Sequence, residues 1–495
     1  MEVRVVDSKV ESVESELVAV GVTSPLKEVP QFLKKIDEKL GGAIAHVVKS
    51  RGFEGEFGQM RSIGTLGKIP AQNILLVGLG KESDLTKETL RKAAGFSARV
   101  IRDSLGITEF ATALHDVDVP KTTLSERAQV VAEGTVLGSY QYIKYKTIDA
   151  DKIKRIKSVA LLGKGFDAQV KKGVTIAESA NFVRDLQNEP ASNLHPKEMA
   201  EHAQSLQKLG VKVTVYDKKQ IEKMGLNALL AVNRGSMHEP RLVVMEYDGK
   251  AKKKIALIGK GITFDSGGLQ IKPDEAMVTM KDDMSGAAVV MGAVRAAALL
   301  KLPVHVVGVF ASTENMPGMD AYKPGDVIRT YSGKTIEIAH TDAEGRVILC
   351  DALAWTEKNI KPDVMVDLAT LTGACVVALG SVCAGVMGKD QQLIGKLIDS
   401  GNATGERLWQ LPFFKEYHDQ VKSEIADFRN LGIIRKEAGA ITAGAFLAQF
   451  IEKTPWAHID IAGPAWSEFE QEYVRKGGTG FGVRLLVDFL ESWSK

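Results

Sequence analysis

The later part of the sequence contains short apolar runs rich in valine, isoleucine, leucine and alanine, separated by stretches of helical periodicity. Runs at 254–258 and 304–311 are nearly continuous, which is typical of strands covered on both faces. Alternation of such strands with helices predicts a doubly wound α/β domain of about 300 residues. Ligands bind such domains at the carboxyl ends of the strands. Further strands are predicted at 212–216, 242–247, 335–339, 363–367 and 458–461.

The 495 residues are too many for one ordinary core. Strands at 17–22 and 73–77 and a helix at 86–105 predict a separate α/β region near the amino terminus, and the charged segment 144–157 resembles a connector. We therefore predict an α/β fold in two domains. A smaller α/β domain spans 1–157, and a larger doubly wound domain with a mixed, mostly parallel sheet spans 158–495.

Charge and cysteine content restrict the class of protein. The 64 basic and 62 acidic residues give a net charge of +2, which argues against a general electrostatic grip on nucleic acid. Three cysteines in apolar surroundings indicate free thiols in a reducing compartment. The amino terminus lacks the apolar core of a signal peptide, and no membrane span is predicted. These features predict a cytoplasmic protein.

The richest chemistry lies in residues 340–346, which contain two carboxylates and a guanidinium at alternate positions. Further acids and amines precede it, in segments predicted as strand ends and loops. Carboxylate oxygens, amines and an anion-binding guanidinium suit a pair of divalent metals that activates water. The candidate residues are Lys260, Asp265, Lys272, Asp283, Asp342, Glu344 and Arg346.

Each of these residues also has an ordinary structural explanation. Lys260 and Lys272 could be solvated surface lysines, and Asp283 could cap the helix predicted at 285–298. Asp342 and Glu344 could cap the next helix, with Arg346 paired to one of them. These explanations do not account for the placement of all seven residues at strand ends of one predicted sheet.

An internal repeat helps to distinguish a structural lysine from a functional one. Residues 160–165 nearly repeat residues 256–261, including the lysine at the strand end. Gln169 stands in the first copy where the second has Asp265. The acid, rather than the lysine alone, therefore marks the second copy as a candidate metal site.

Two long motifs, 260–285 and 340–349, resemble the signature sequences of the leucyl aminopeptidases, the dinuclear-metal peptidases also called cytosol aminopeptidases. The resemblance is strong over roughly 160–495. The first 150 or so residues resemble the family only in pattern. Further matching segments are 184–186, 315–317, 324–326, 367–374, 439–443, 456–463 and 478–484.

The resemblance implies a role for each site residue. Lys260, Asp265, Asp283 and Glu344 would hold the tighter metal, and Asp265, Asp342 and Glu344 the more exchangeable one. Lys272 would polarise the scissile carbonyl, and Arg346 would hold a bicarbonate that acts as general base. The residues expected to line a pocket for the first side chain of the substrate are Met280, Thr370, Gly373 and Ala462.

The function expected is removal of amino-terminal residues from peptides with a free amino terminus, preferably leucine and other large apolar residues. Two divalent ions are expected, zinc or manganese in preference to magnesium or cobalt. The resemblance also implies a homohexamer, and an assembly or regulatory role for the amino-terminal domain. Two alternatives stay open: a two-metal phosphoesterase, and an additional DNA-binding role.

One position departs from the family. His340 stands where the leucyl aminopeptidases usually have asparagine. An imidazole is larger and titrates near neutral pH, so it could contact substrate, add a weak ligand or shift the pH optimum. The alternative is a backbone position that tolerates either side chain. Ser266 and Ser285 also replace residues more usual in the family, both conservatively in size.

Overall fold

The computed structural model describes residues 1–50, 52–434 and 436–493. The chain divides into two compact units, one formed by Met1–Glu178 with Phe469–Lys476 and the other by Ser179–Glu468 with Gly477–Lys495. Each unit contains its own central sheet and helices. The predicted α/β fold with a smaller amino-terminal region and a larger carboxyl-terminal region is confirmed.

The first unit is built on a six-stranded sheet in the order β1-β6-β5-β2-β4-β3, in which only β3 runs antiparallel to its neighbour. Helices α3 and α4 each begin with a threonine capping box, which satisfies free backbone amides at the helix start. The strands are β1 (Glu2–Val6), β2 (Val18–Ser24), β3 (Met60–Gly64), β4 (Asn73–Lys81), β5 (Glu109–Thr112) and β6 (Ser158–Leu162), and the helices are α1 (Lys34–Lys39), α2 (Ala43–Lys49), α3 (Lys87–Asp103), α4 (Leu124–Gly138) and α5 (Asp167–Asn188).

The structure corrects the domain boundary predicted between residues 157 and 158. Strand β6 pairs in parallel with both β1 and β5, so it is an inner strand of the first sheet. The division falls within helix α5 instead. The charged segment 144–157 is therefore a crossover inside the first unit, which its composition alone does not distinguish from a connector between domains.

The second unit is built on an eight-stranded sheet in the order β15-β14-β17-β13-β9-β10-β8-β7. Its four central strands, β17, β13, β9 and β10, are mutually parallel, and β8, β7 and β14 add antiparallel pairs. This is the mixed, mostly parallel sheet that was predicted. The strands are β7 (Lys212–Tyr216), β8 (Arg241–Asp248), β9 (Lys254–Asp265), β10 (His305–Asn315), β13 (Val364–Ala369), β14 (Ala384–Gly388), β15 (Leu408–Gln410) and β17 (Trp456–Asp460).

Two small sheets complete the second unit. One contains β11 (Val327–Arg329), β12 (Thr335–Glu337) and β16 (Phe428–Arg429), and the other β18 (Trp466–Ser467) and β19 (Gly477–Gly478). The segment predicted as a strand at 335–339 thus belongs to a separate sheet. The expectation that all seven candidate residues end strands of one sheet is corrected accordingly.

Helices cover the central strands, as their apolar sequence requires. The helices of this unit are α6 (Pro196–Gln204), α7 (Lys218–Met224), α8 (Asn227–Asn233), α9 (Asp274–Met277), α10 (Ser285–Leu300), α11 (Glu344–Ile360), α12 (Gly373–Leu379), α13 (Gln391–Thr404), α14 (Lys415–Asp419), α15 (Gly439–Leu447) and α16 (Val483–Trp493). Among the described residues, one stretch, Asp274–Leu300, is long and apolar enough to cross a membrane, and 83% of its most apolar 18 residues are buried inside the protein. Such burial is typical of a core helix.

Candidate metal centre

Four segments of the second unit bring the candidate residues together. Lys260 and Asp265 lie on the carboxyl-terminal half of β9, and Lys272 lies in the loop that follows. Asp283 lies two residues before α10, and Glu344 is the first residue of α11. Lys260, Asp265, Asp283 and Glu344 are all buried. The site therefore combines the end of a central strand with two helix amino termini, where backbone dipoles favour negative charge.

The amine of Lys260 contacts two carboxylates. Its Nζ lies 2.7 Å from Asp283 Oδ1 and 2.9 Å from Glu344 Oε1, and it donates a 2.9 Å hydrogen bond to the carbonyl of Thr370. Burial alone would lower the pKa of this lysine, but the surrounding carboxylates outweigh it and raise the pKa above its ordinary value. The lysine is thus a fixed partner of the acids and not a solvated surface group.

The amine of Lys272 contacts the other two acids, Asp265 and Asp342. Its Nζ lies 2.9 Å from Asp265 Oδ2 and 2.5 Å from Asp342 Oδ1. The lysine side chain keeps 14% of its surface accessible, against 3% for Lys260. Lys272 is therefore the amine of the pair with access to an incoming molecule.

Three carboxylates form a compact group. Single oxygen atoms of Asp265, Asp342 and Glu344 all lie within 4.8 Å of one another. Burial, with repulsion from Glu344, raises the pKa of Asp265 to about 7, and the same causes raise the pKa of Asp342. Glu344 differs because Lys260 and Lys272 outweigh its burial and lower its pKa.

Unpartnered oxygens show that these residues suit divalent cations. Asp283 Oδ2 and Glu344 Oε2 are buried and form no hydrogen bond, a rare condition for buried polar atoms. Burial followed by repulsion from Asp265 and Glu344 raises the pKa of Asp283 well above its usual value, although Lys260 opposes this. A divalent ion takes oxygen ligands of this kind and offsets their repulsion. The residues present therefore fit the metals that the sequence suggests.

The loop after β9 is shaped by a pair of glycines and by Asn315, for which the sequence predicted no role. Asn315 donates a 2.8 Å hydrogen bond to Asp265 Oδ1 and a 3.1 Å hydrogen bond to the carbonyl of Thr341. Gly267 and Gly268 have φ values of +88° and +66°, and a Cβ on Gly267 would lie 2.6 Å from the carbonyl of Gln270. The glycines allow the turn that returns Lys272 to Asp265, and Asn315 fixes the carboxylate.

Arg346 lies in the first turn of α11 and is also buried. Its Nη1 donates a 2.9 Å hydrogen bond to the carbonyl of Asn430, and its Nε is buried without a partner. Burial lowers the pKa of the guanidinium to about 10, so it stays charged at neutral pH. Within the described residues it forms no ion pair with Asp342 or Glu344, so the pairing alternative is not observed.

The capping alternatives also fail. Helix α10 has Met284 as its N-cap and α11 has Ala343, and neither helix has a side-chain cap hydrogen bond. Asp283 Oδ1 instead accepts a 2.8 Å hydrogen bond from the hydroxyl of Thr370. Thr370, expected in a substrate pocket, therefore contacts the acid cluster through both its carbonyl and its hydroxyl.

The other predicted pocket residues are less buried than the residues of this cluster. Met280 and Ala462 are half-buried, and Gly373 is an exposed residue that begins α12. The backbone amide of Ala462 donates to Asp460 Oδ1 at 3.2 Å, and that of Leu371 donates to the same oxygen at 3.1 Å. Asp460 thereby joins the chain segments that carry Thr370 and Ala462.

His340 turns its ring towards the backbone of its own loop. Its Nδ1 accepts a 3.2 Å hydrogen bond from the amide of Asp342. Asn430 holds the same loop, because its side chain accepts from the amide of Ala339 and donates to the carbonyl of His340, at 2.8 and 2.7 Å. An asparagine carbonyl could accept the bond that His340 accepts, which favours the interpretation of a backbone position tolerating either residue.

Comparison with known proteins agrees with this geometry. The catalytic domain of the cytosol aminopeptidase family matches residues 181–487, and the amino-terminal domain of that family matches residues 19–149. The chain belongs to the cytosol aminopeptidase family. The family membership suggested by the motifs is thus confirmed, and the protein is a metal-dependent aminopeptidase, a hydrolase of peptides.

Relatives of this aminopeptidase match it over nearly their full length. A probable cytosol aminopeptidase of Geobacter sulfurreducens is 45% identical, covering 95% of this chain and 94% of the relative. One from Pseudomonas fluorescens is 42% identical, covering 92% of each. The similarity thus includes the amino-terminal region, which the sequence motifs alone resembled only weakly.

Solved structures with the same fold include a bottromycin maturation enzyme and a leucine aminopeptidase. The bottromycin maturation enzyme BotP in complex with Mn aligns with a TM-score of 0.86 at 34% identity, covering 97% of this chain and all of that one (100%). A mutant of tomato leucine aminopeptidase aligns with a TM-score of 0.89 at 31% identity, covering 99% of this chain and 96% of that one. Both alignments extend over the two units of this aminopeptidase.

Proposed function

We propose that this aminopeptidase releases amino-terminal residues, preferably leucine and other large apolar residues, by activating water between two divalent ions. The observation that carries the proposal is the convergence of Lys260, Asp265, Asp283, Asp342 and Glu344 on one buried site. Buried carboxylates in this number destabilise a fold unless cations offset their repulsion. The folding free energy that such an arrangement costs supports a catalytic role for it.

Lys260, Asp265, Asp283 and Glu344 would hold one ion, and Asp265, Asp342 and Glu344 the other. Lys260 would bind as the neutral amine, which a nearby dication favours over the ammonium. Two divalent ions held there would supply an activated water nucleophile and polarise the scissile carbonyl. Zinc or manganese is favoured over magnesium or cobalt, since a nitrogen ligand accompanies the oxygens. The manganese complex of BotP supports manganese as one candidate.

Lys272 stabilises the developing negative charge on the scissile carbonyl oxygen in this mechanism. It is charged, since the acids around it outweigh its burial and raise its pKa. It is also the more accessible of the two site amines. Asp265 and Asp342 hold its ammonium in place, so the group needs little reorganisation when the oxyanion forms.

Arg346 provides the site for a general base that is itself a small anion. A guanidinium with an unpartnered Nε, in the first turn of α11, suits bicarbonate. Bicarbonate held there would accept the proton of the attacking water. Asn430 fixes the orientation of the guanidinium through Nη1.

Restriction to the first residue would come from the free α-amine of the substrate, which would bind the tighter of the two ions. Met280, Thr370, Gly373 and Ala462 would line the pocket for the first side chain. Burial of a leucine-sized group contributes roughly 1.5–3 kcal/mol, so preference for large apolar residues is expected to be graded.

The decisive experiment compares leucine amide, N-acetyl-leucine amide and a phosphate monoester, each with and without chelator. We expect cleavage of leucine amide alone, abolished by chelator and restored by added metal. Equal cleavage of the acetylated compound would contradict capture of the free amine. Cleavage of the phosphate ester in preference to the amide would favour the phosphoesterase alternative.

We further propose the homohexamer implied by the family resemblance. Large apolar side chains that are exposed on the single subunit are available to such an interface. Trp409, Phe414 and Ile425 are 65%, 64% and 64% exposed. Light scattering of the purified protein tests the proposal, and a monomer at micromolar concentration would contradict it.

A further inference from the structure

A second group of metal-ligand side chains lies in the same unit, formed by different segments. His195 precedes α6, His238 lies in the loop between α8 and β8, and Glu314 lies near the end of β10. One potential ligand atom from each residue lies within 4.8 Å of the other two. None of the three residues belongs to the acid and lysine cluster described above.

One of the two imidazoles has a buried nitrogen without a hydrogen bond. His195 Nδ1 is buried and forms no hydrogen bond. The ring centroids of His195 and His238 are 3.6 Å apart with the rings perpendicular, closer than aromatic pairs ordinarily pack. His195 Nδ1 lies 3.9 Å from Glu198 Oε2, and among the described residues neither histidine forms an ion pair with Glu314. The three groups therefore converge without bonding to one another.

Ser236 holds two of the three segments. Its hydroxyl donates a 2.5 Å hydrogen bond to Glu314 Oε2 and accepts a 2.9 Å hydrogen bond from the amide of His238. Asn233 donates a 2.7 Å hydrogen bond to the carbonyl of His238. Hydrogen bonds to ligand side chains and their backbones are the usual support of a metal site, and one oxygen of Glu314 remains for a cation.

The cluster opens into a cavity of about 570 Å³, whose walls include Phe264, Met237 and Met316 as well as the three polar residues. Glu314 is only 8% exposed. The carboxylate is thus the most buried of the three groups that line this partly apolar recess, and the two histidines are half-buried. A recess of this volume leaves room for water or a small ligand beside a bound ion.

We propose that His195, His238 and Glu314 form a separate metal site for zinc or a similar transition metal. Two imidazole nitrogens and one carboxylate oxygen are a typical zinc donor set, with a fourth position for water. Zinc binds these ligands at about 2.0–2.2 Å, which sets the ligand atoms about 3–4 Å apart. Small side-chain rotations close the observed cluster to that spacing.

The two sites differ in chemistry and therefore in selectivity. The acid and lysine cluster offers mainly carboxylate oxygens, which suit manganese and magnesium as well as zinc, whereas imidazoles favour zinc, copper and nickel. An ion at the histidine site also fixes the end of β10. Asn315, the neighbour of Glu314, orients Asp265, so the separate ion stabilises the strand end that shapes the catalytic loop.

The test compares the full-length enzyme with a His195→Ala/His238→Ala variant, both first loaded with manganese. His46→Ala, which removes an exposed histidine of α2, is the matched control. Zinc is then titrated against a chromophoric chelator. We expect the enzyme and the control to bind one equivalent of zinc per chain that the double variant lacks, and single variants to bind it about 10–100-fold more weakly.

Equal zinc binding by all three proteins would overturn the proposal. A crystal of the zinc-soaked enzyme gives a test that does not depend on variants. An anomalous peak at the zinc edge between His195, His238 and Glu314 supports the site, and its absence at a saturating zinc concentration overturns it. The map resolves the catalytic cluster separately, so failure of this site and failure of the proposed peptidase mechanism are distinguishable.

Discussion

Gly345 lies directly against the side chain of Lys260. A Cβ atom at position 345 would lie 2.5 Å from Cε and 2.7 Å from Nζ of that lysine. Helix α11 thus approaches β9 so closely that only glycine leaves room for the amine. The residue between Glu344 and Arg346 in the sequence motif therefore has a packing role at the metal centre.

Gly345→Ala is expected to displace the Lys260 amine and weaken metal binding by about 10–100-fold, as changes that disturb ligand orientation do. Manganese titration of the metal-stripped protein measures the effect. Gly395→Ala in α13 is the control, because a Cβ there meets nothing within 4 Å. Equal manganese affinity in the two variants would show that the lysine position does not matter for metal binding.

Lys272→Ala is expected to reduce turnover by about 10²–10³-fold, the usual effect of removing an oxyanion donor, with metal content unchanged. Steady-state hydrolysis of leucine amide, with metal analysis of the same sample, measures both. Lys164→Ala is the control, since this lysine occupies the place of Lys260 in the first copy of the internal repeat and its side chain is 79% exposed. Loss of metal in step with turnover would assign Lys272 to metal binding instead.

Arg346→Ala is expected to reduce turnover by about 10²–10⁴-fold, the range for loss of a general base. The specific readout is the response to bicarbonate. In buffer depleted of carbon dioxide, added bicarbonate should raise the rate of the unaltered enzyme and leave the variant unchanged. A rate independent of bicarbonate in both proteins would remove the anion from the mechanism and leave Arg346 a structural residue.

The sequence predicts the fold class and the chemistry of the site better than it predicts their supporting contacts. Apolar runs and strand ends indicate the central sheet, and the acids and lysines are recognisable by residue type and spacing. No role was predicted for Asn430 or Asn315, because their hydrogen bonds join segments distant in sequence and leave no periodic pattern. The sheets to which β12 and β6 belong were predicted wrongly for a related reason, because a strand's own composition does not encode its pairing partners.

Asp351 offers a test of pH dependence away from the metal centre. It is fully buried, and its carboxylate accepts backbone hydrogen bonds from Ala228, Leu229 and Tyr331 at 2.8, 3.2 and 2.7 Å. Burial raises its pKa to about 7 in spite of those bonds. An exposed aspartate ionises at a pH of about 4. Between that pH and pH 7, the carboxyl of Asp351 is therefore ionised in the unfolded chain and neutral in the native chain.

Stability contributed by Asp351 is therefore present at acid pH and decreases as pH rises towards 7. The melting temperature of the unaltered protein should fall relative to that of Asp351→Asn as pH is raised across this interval. Thermal unfolding followed by circular dichroism at several pH values checks the prediction. Parallel melting curves for the two proteins would show that Asp351 is ionised in the native state throughout.

Anomalous diffraction from crystals of the active, manganese-loaded enzyme tests the central claim most directly. We predict two peaks about 3.5–4 Å apart, both in contact with Asp265 and Glu344, one also with Lys260 and Asp283, and the other also with Asp342. A single peak, or none at this cluster, in crystals whose enzyme hydrolyses leucine amide after dissolution would contradict the dinuclear mechanism.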